Sequence, residues 1–197
     1  MTNGVYGLLG VNGAGKTTVF NAVTGVVKPT AGEVFFDGKK INAMRPDKIA
    51  HMGVARTFQN IRIYPKMSVC ENVTIGLNSI PPYNALEAML RTPKVRRKER
   101  EAYEKAIGYL EMVGLKDLAD QEAGSLPYGL QRKVEIARAL ATNPKLLFLD
   151  EPAAGMNTGE SMELVQFLKQ LLDTGDIVAD IKWEQGHLAA WSSRCNC

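Results

Sequence analysis

The chain has 197 residues, 45% hydrophobic and 23% charged, with 24 Lys and Arg against 21 Asp and Glu for a formal net charge of +3. That length allows one compact domain, alone or carrying an inserted subdomain, and the composition excludes collagen-like, coiled-coil and wholly disordered chains. So mild a positive balance gives no nucleic-acid footprint, and three cysteines, Cys70, Cys195 and Cys197, make no even disulfide framework.

Met1 to Gly10 lacks the basic start and long apolar centre of a signal peptide, which predicts a cytosolic protein. The longest uncharged run, Asn72 to Leu86, is broken by Asn78, Pro81 and Pro82, so no membrane span is expected. Val5 to Leu9 is a short apolar run that ends in glycine and leads into a helical pattern, Thr17 to Thr24, closed by Gly25, which predicts strand, glycine loop and helix. After a turn at Lys28 to Gly32, alternating Glu33 to Phe36 with Asp37-Gly38 behind it predicts a strand and tight turn. Pro46 to Met52 is helix-like, and His51 in it is expected on the surface.

Helices are predicted to dominate from Ser68 to about Met112. Ser68 with Glu71 three residues on forms a capping box, and Thr92-Pro93 is an N-cap followed by proline at the first helical position. Val95, Ala102, Ala106, Leu110 and Val113 recur at three- and four-residue steps, giving the helix from Pro93 one packed face. Its basic group, Lys94 to Arg100, is read as the wet face, with anionic headgroups or a membrane partner as the alternative. A second amphipathic helix runs from about Leu130 to Ala141 and stops at Asn143-Pro144. Lys145 to Asp150 is then apolar without alternation, as for a strand covered on both faces of a parallel sheet.

The chemistry begins at Gly10-Val11-Asn12-Gly13-Ala14-Gly15-Lys16-Thr17, which fits Gly-x-x-x-x-Gly-Lys-Ser/Thr between a predicted strand and a predicted helix. Glycines let successive backbone N–H groups turn inward around a phosphate, and the helix beginning at Lys16 adds the positive end of its dipole. Asn12, Gly13, Ala14, Gly15, Lys16, Thr17 and Thr18 are the candidate phosphate-binding residues. Lys16 would reach the β- and γ-phosphates and the Thr17 hydroxyl would bind Mg²⁺; the competing reading is a glycine-rich surface turn. Asp150 closes the apolar strand and suits the metal, while Glu151 suits a water aimed at the γ-phosphate. Read without a phosphate loop on the same sheet, the two are solvated loop acids.

The separation of 134 positions from Lys16 to Asp150 fits an insertion between the two site elements. Within and after it, Arg56-Thr57-Phe58-Gln59-Asn60 resembles a Q-loop, Leu126-Pro127-Tyr128-Gly129-Leu130-Gln131-Arg132 a divergent signature loop, and Leu149-Asp150-Glu151-Pro152 a Walker B motif. In that order they resemble the ATP-binding subunit of an ABC transporter. Gly53 to Gln59, Glu135 to Leu140 and Glu151 to Asn157 are most similar to the branched-chain amino-acid import ATPases, over about Gly4 to Leu172.

The resemblance implies an α/β fold: a P-loop NTPase (RecA-like) core with an inserted α-helical subdomain and a largely missing N-terminal β subdomain. Residues 1–58 would carry the phosphate loop, 59–140 the Q-loop and helical subdomain ending in the signature helix, 141–172 the Walker B half, and 173–197 an atypical tail. It implies ATP and Mg²⁺ as ligands, catalytic roles for Glu151 and Gln59, metal contacts from Thr17, Gln59 and Asp150, and γ-phosphate contacts from Tyr128 and Gly129. Gln59 would also relay nucleotide state to the membrane. The implied partners are membrane permease subunits and a second ATP-binding subunit in a head-to-tail dimer, with no nucleic acid. The implied place is cytoplasmic, peripheral on the inner face of the cell membrane. A soluble ABC protein of repair or translation, and a non-catalytic nucleotide-binding fragment, are the rival readings.

The sequence departs from that pattern in places. Pro127 stands where the signature usually has serine and Leu130 where it has glutamine. Only fifteen residues precede Lys16, so the family's adenine-stacking aromatic, which normally lies well upstream, is not expected within this sequence, and Tyr6 is expected in the core. After the helix Glu160 to Leu172 the family has a buried strand and a histidine. Here Ile177 to Ile181 is broken by Asp180, so no strand is predicted, and His187 is expected to be a solvated tail residue. Cys195 and Cys197 are expected to be exposed thiols, and the tail to be foreign or out of frame in a fragment of a longer ATPase.

Overall fold

A computed structural model describes residues 5–8, 13–77, 87, 89–173 and 178–182, in two compact units, Met1–Asn60 with Pro144–Cys197, and Ile61–Asn143. In chain order the first unit runs β1 (Val5–Leu8), α1 (Lys16–Val23), β2 (Phe35–Phe36), β3 (Lys39–Lys40), α2 (Pro46–His51) and β4 (Val54–Arg56). The second unit contributes α3 (Val69–Thr74), α4 (Pro93–Met112) and α5 (Tyr128–Ala141), before the first resumes with β5 (Leu146–Asp150), α6 (Thr158–Asp173) and β6 (Val178–Lys182). Among the described residues no helix is long and apolar enough to cross a membrane.

The first unit is built on a parallel sheet in the order β1-β6-β5-β4. β5 carries its apolar run because Leu147, Phe148 and Leu149 are buried in succession, so both faces are covered. Phe20 of α1 is wholly buried, and its ring centroid lies 4.6 Å from that of Phe148 at an interplanar angle of 49°. With Phe36, Ile41, Ile49 and Val54 these rings form the core that seats α1 on the sheet; each such aromatic stabilises by roughly 1.5–3 kcal/mol through burial. The tight turn after β2 is present, with Asp37 and Gly38 at φ of 50° and 74°, as a two-residue hairpin requires.

β6 corrects the sequence expectation. The run interrupted by Asp180 does form a strand, and it lies between β1 and β5, paired in parallel to both. Asp180 stands in register between Tyr6 and Phe148. Ladder hydrogen bonds on both edges are backbone bonds, so one charged residue does not forbid the strand, whereas it does erase the apolar signature by which a central strand is recognised. Whatever follows Lys182, including His187, Cys195 and Cys197, lies outside the described residues, as does the Tyr6 side chain.

In the second unit, α3 packs against both α4 and α5, which also pack on each other. The capping box at Ser68 is formed: Glu71 N donates to Ser68 Oγ at 3.1 Å and Ser68 N to Glu71 Oε2 at 2.8 Å. Thr92 caps α4 through Val95 N, and Val95, Ala106 and Leu110 are its buried stripe. On the opposite face Arg97 and Lys98 pair with Glu101 and Arg100 with Glu104, the wet-face reading of this helix. α5 begins at Tyr128, two residues before the periodicity suggests, because Pro127 at extended φ/ψ offers its carbonyl to Leu130 and Gln131 N–H and so opens the helix itself.

Candidate functional site

The parallel register sets the site. Leu8, Lys182 and Asp150 are aligned across β1, β6 and β5, so the phosphate-loop strand and the acid strand end at the same edge of the sheet. At about 4.8 Å between neighbouring strands, those two ends are roughly 10 Å apart.

From the β1 end the chain enters the glycine loop. Gly13 and Gly15 have φ of +87° and +82°, and a Cβ built on either meets no atom within 4 Å. The requirement for glycine is therefore conformational: both turn the backbone through the left-handed region. Gly15 is the N-cap of α1 without a side-chain cap, and the first turn holds no acid to offset the positive end of the helix dipole. Lys16 is buried at the base of that turn, while Thr17 and Thr18 are exposed on it. Asn12 lies outside the described residues.

From the β5 end come Asp150 and Glu151, 2% and 8% exposed. Glu151 has a φ of +48°, a left-handed backbone that a non-glycine residue holds only where its surroundings impose it, and such strain gathers at functional sites. Gln59 Nε2 donates to Glu151 Oε2 at 3.1 Å, joining two residues 92 apart in the sequence. Thr57 N donates to Phe148 O at 2.9 Å, so the segment leaving β4 stays against the acid strand and carries Gln59 to the acids.

Arg56, the last residue of β4, is the group that periodicity and motif spacing do not single out. Its Nη2 donates to Asp150 Oδ2 at 2.9 Å and its Nη1 to Asn21 Oδ1 at 2.6 Å, which ties the acid to the second turn of α1. A basic residue closing a short strand beside an acid-terminated strand was the available signal.

Thr17, Asp150 and Gln59 carry hard oxygen atoms, the donor type that Mg²⁺ takes, and among the described residues there is no cluster of three or more His, Cys, Asp or Glu that could hold a metal ion. That donor set fits an ion that keeps waters and borrows oxygens from a phosphate. Tyr128 and Gly129 lie in the second unit at the start of α5, an N-terminus with no side-chain cap.

The chain matches the ABC transporter family over residues 2–154. It is 46% identical over 167 residues to the high-affinity branched-chain amino acid transport ATP-binding protein BraF of Pseudomonas aeruginosa, and 42% identical over 167 residues to the equivalent LivG of Escherichia coli K12. Each match covers 85% of this chain and 66% of the relative, so the chain spans just under two thirds of the length of those proteins. The solved ADP conformation of MJ1267, an ATP-binding cassette of an ABC transporter, superposes with a TM-score of 0.73 at 35% identity, covering 92% of this chain and 69% of that one. The chain belongs to the ABC transporter family, with the P-loop fold of its ATP-binding cassettes.

Proposed function

We propose that the chain is an ATP-binding, ATP-hydrolysing subunit that energises import of a small solute, of the branched-chain amino-acid class that the names of its relatives carry. The observation that supports this reading best is the flush ending of β1, β6 and β5, with a left-handed glycine loop on one side and a buried acid pair on the other.

In this reading the loop amides, the α1 N-terminus and Lys16 hold the triphosphate, and Thr17 and Asp150 hold Mg²⁺ with Gln59 beside it. The metal, when bound, neutralises charge developing on the β- and γ-phosphate oxygens. Glu151 orients a water toward the γ-phosphorus and takes its proton, giving ADP and inorganic phosphate. Gln59, hydrogen-bonded to Glu151, sits where a loss or gain of γ-phosphate changes its partner, so it carries the nucleotide state outward along its loop. Residues 61–143 act as the helical subdomain, and the uncapped start of α5 at Tyr128 and Gly129 serves the γ-phosphate held by a second subunit in a head-to-tail dimer. Such a subunit works on the inner face of the membrane, bound to permease subunits.

Phosphate release from the purified chain tests the enzymatic half. Turnover that needs Mg²⁺ and disappears in chelator supports it; nucleotide binding with no turnover at any protein concentration selects a non-catalytic nucleotide-binding piece instead. Co-purification with a membrane protein, as against ribosomes or DNA, tests the transport half.

A further inference from the structure

β4 ends at Arg56, and Gln59, whose amide reaches Glu151, stands three residues beyond it. An extended chain sends residues two apart to the same side, and here Arg56 and Phe58 meet: Arg56 Cζ lies 5.3 Å from the Phe58 ring centroid. The same Cζ is 5.6 Å from the centroid of Phe20, which is wholly buried on α1. Two hydrogen bonds, Nη1 to Asn21 Oδ1 at 2.6 Å and Nη2 to Asp150 Oδ2 at 2.9 Å, fix the guanidinium plane, while Nε takes no hydrogen-bond partner among the described residues. The Arg56 side chain is 8% exposed and Phe58 is 36% exposed, so a buried flat cation carries a ring at the surface. A planar guanidinium stacks on an aromatic face and keeps its orientation through its fork, whereas an ammonium is a point charge without that plane.

We propose that Arg56 is a positioning residue for Gln59: its guanidinium is the platform on which the Phe58 ring rests, and the seated ring aims the amide of the next residue at Glu151. The inference rests on the nucleotide reading of the site, which gives Gln59 and Glu151 their roles. Thr57 N to Phe148 O holds the backbone against β5 up to the residue before Phe58, and the stack extends that hold beyond the β4–β5 ladder. Through Asn21 the platform is also anchored on α1, the helix that opens at the phosphate loop, so one side chain joins the placement of Gln59 to the element that carries the loop. Position 56 therefore requires a flat cation and position 58 a ring face; charge alone or bulk alone does not suffice.

The test follows the side-chain amide pair of Gln59 in heteronuclear NMR spectra of the full apo chain, assigned by its loss in Gln59→Ala, with Glu151→Ala marking where the pair falls once its bond to Glu151 is gone. Arg56→Lys keeps a positive charge but not the plane, and Phe58→Met keeps apolar bulk but not the ring face. Each should lower the ratio of hydrogen-bonded to free Gln59 about three- to tenfold and so move the pair toward the Glu151→Ala position. Phe58→Tyr, which keeps the ring, should leave the pair where wild type has it. Since the two substitutions break one contact, Arg56→Lys with Phe58→Met should move it no further than the larger single change. A pair that stays at its wild-type position in Phe58→Met, or shifts that add in the double variant, would show a packing role and overturn the proposal. Should Arg56→Lys fail to fold, Phe58→Met and Phe58→Tyr decide between the same outcomes, because Phe58 lies outside the core. ATPγS with Mg²⁺ is then added to the wild type. A Gln59 pair unmoved by it overturns the nucleotide reading, and this proposal with it; a pair that moves in wild type but is indifferent to Arg56→Lys and Phe58→Met overturns this proposal alone.

Discussion

Gly76→Ala sets local propensity against packing, and the structure says which wins. Gly76 follows α3 and its φ lies outside the left-handed region, so alanine is conformationally acceptable there. At such a site Gly→Ala ordinarily stabilises by about 0.4–1 kcal/mol by restricting the unfolded chain. The added Cβ, however, would stand 2.1 Å from Arg138 O and 3.0 Å from Arg138 C on α5, where ordinary contact begins near 3.4 Å. The obstacle is backbone and the added Cβ is fixed by its own backbone, so no rotamer change relieves the overlap and the two segments must separate by more than 1 Å. Overpacking of this kind costs about 1–3 kcal/mol, and with backbone on both sides the upper end applies, leaving a net loss of about 2 kcal/mol or more. For a chain of this size that is a fall in Tm of roughly 4–8 °C. Urea unfolding followed by circular dichroism, with the two slopes compared, measures it. A variant as stable as wild type, or more so, would refute the close approach of the two helices.

Three further outcomes follow from the site and the core. Lys16→Ala should abolish binding of a fluorescent ATP analogue while leaving the circular dichroism spectrum intact, and an unchanged affinity would contradict the phosphate-loop reading. Glu151→Gln should lower turnover by two or more orders of magnitude yet leave ATP bound, because the amide keeps the shape but takes no proton; phosphate release and equilibrium binding on one preparation separate the two. Burial pushes the Cys70 thiol above its ordinary range, outweighing the Thr74 hydrogen bond that pulls it down, so little thiolate is present at neutral pH. Peptide mass mapping after iodoacetamide at pH 8 should find Cys70 unmodified in the native protein and modified in urea; rapid native labelling would place the thiol at the surface.

The features legible in the sequence are those that a few neighbouring residues specify. The Ser68–Glu71 box spans four residues and the Asp37-Gly38 turn two, so each is decided before any tertiary contact forms. The unbroken apolar text of β5 likewise reports its own double burial. β6 was not legible: with Asp180 in its centre and Lys182 at its end, its place is fixed by ladders to β1 and β5, both remote in sequence. Arg56 was hidden for the same reason, since its partners Asn21 and Asp150 are 35 and 94 residues away and no local pattern links them. Gln59 was visible only through its motif; that its amide reaches Glu151 is a property of the folded segment after β4.

Calorimetric titration of ATP into wild type and Asp150→Asn, each with Mg²⁺ and with chelator, goes most directly to the claim that the β1 loop and the β5 acid serve one metal-bound triphosphate. The account predicts that Mg²⁺ tightens binding in wild type and that Asp150→Asn loses that gain while keeping the affinity measured in chelator. The same gain from Mg²⁺ in both proteins would contradict it.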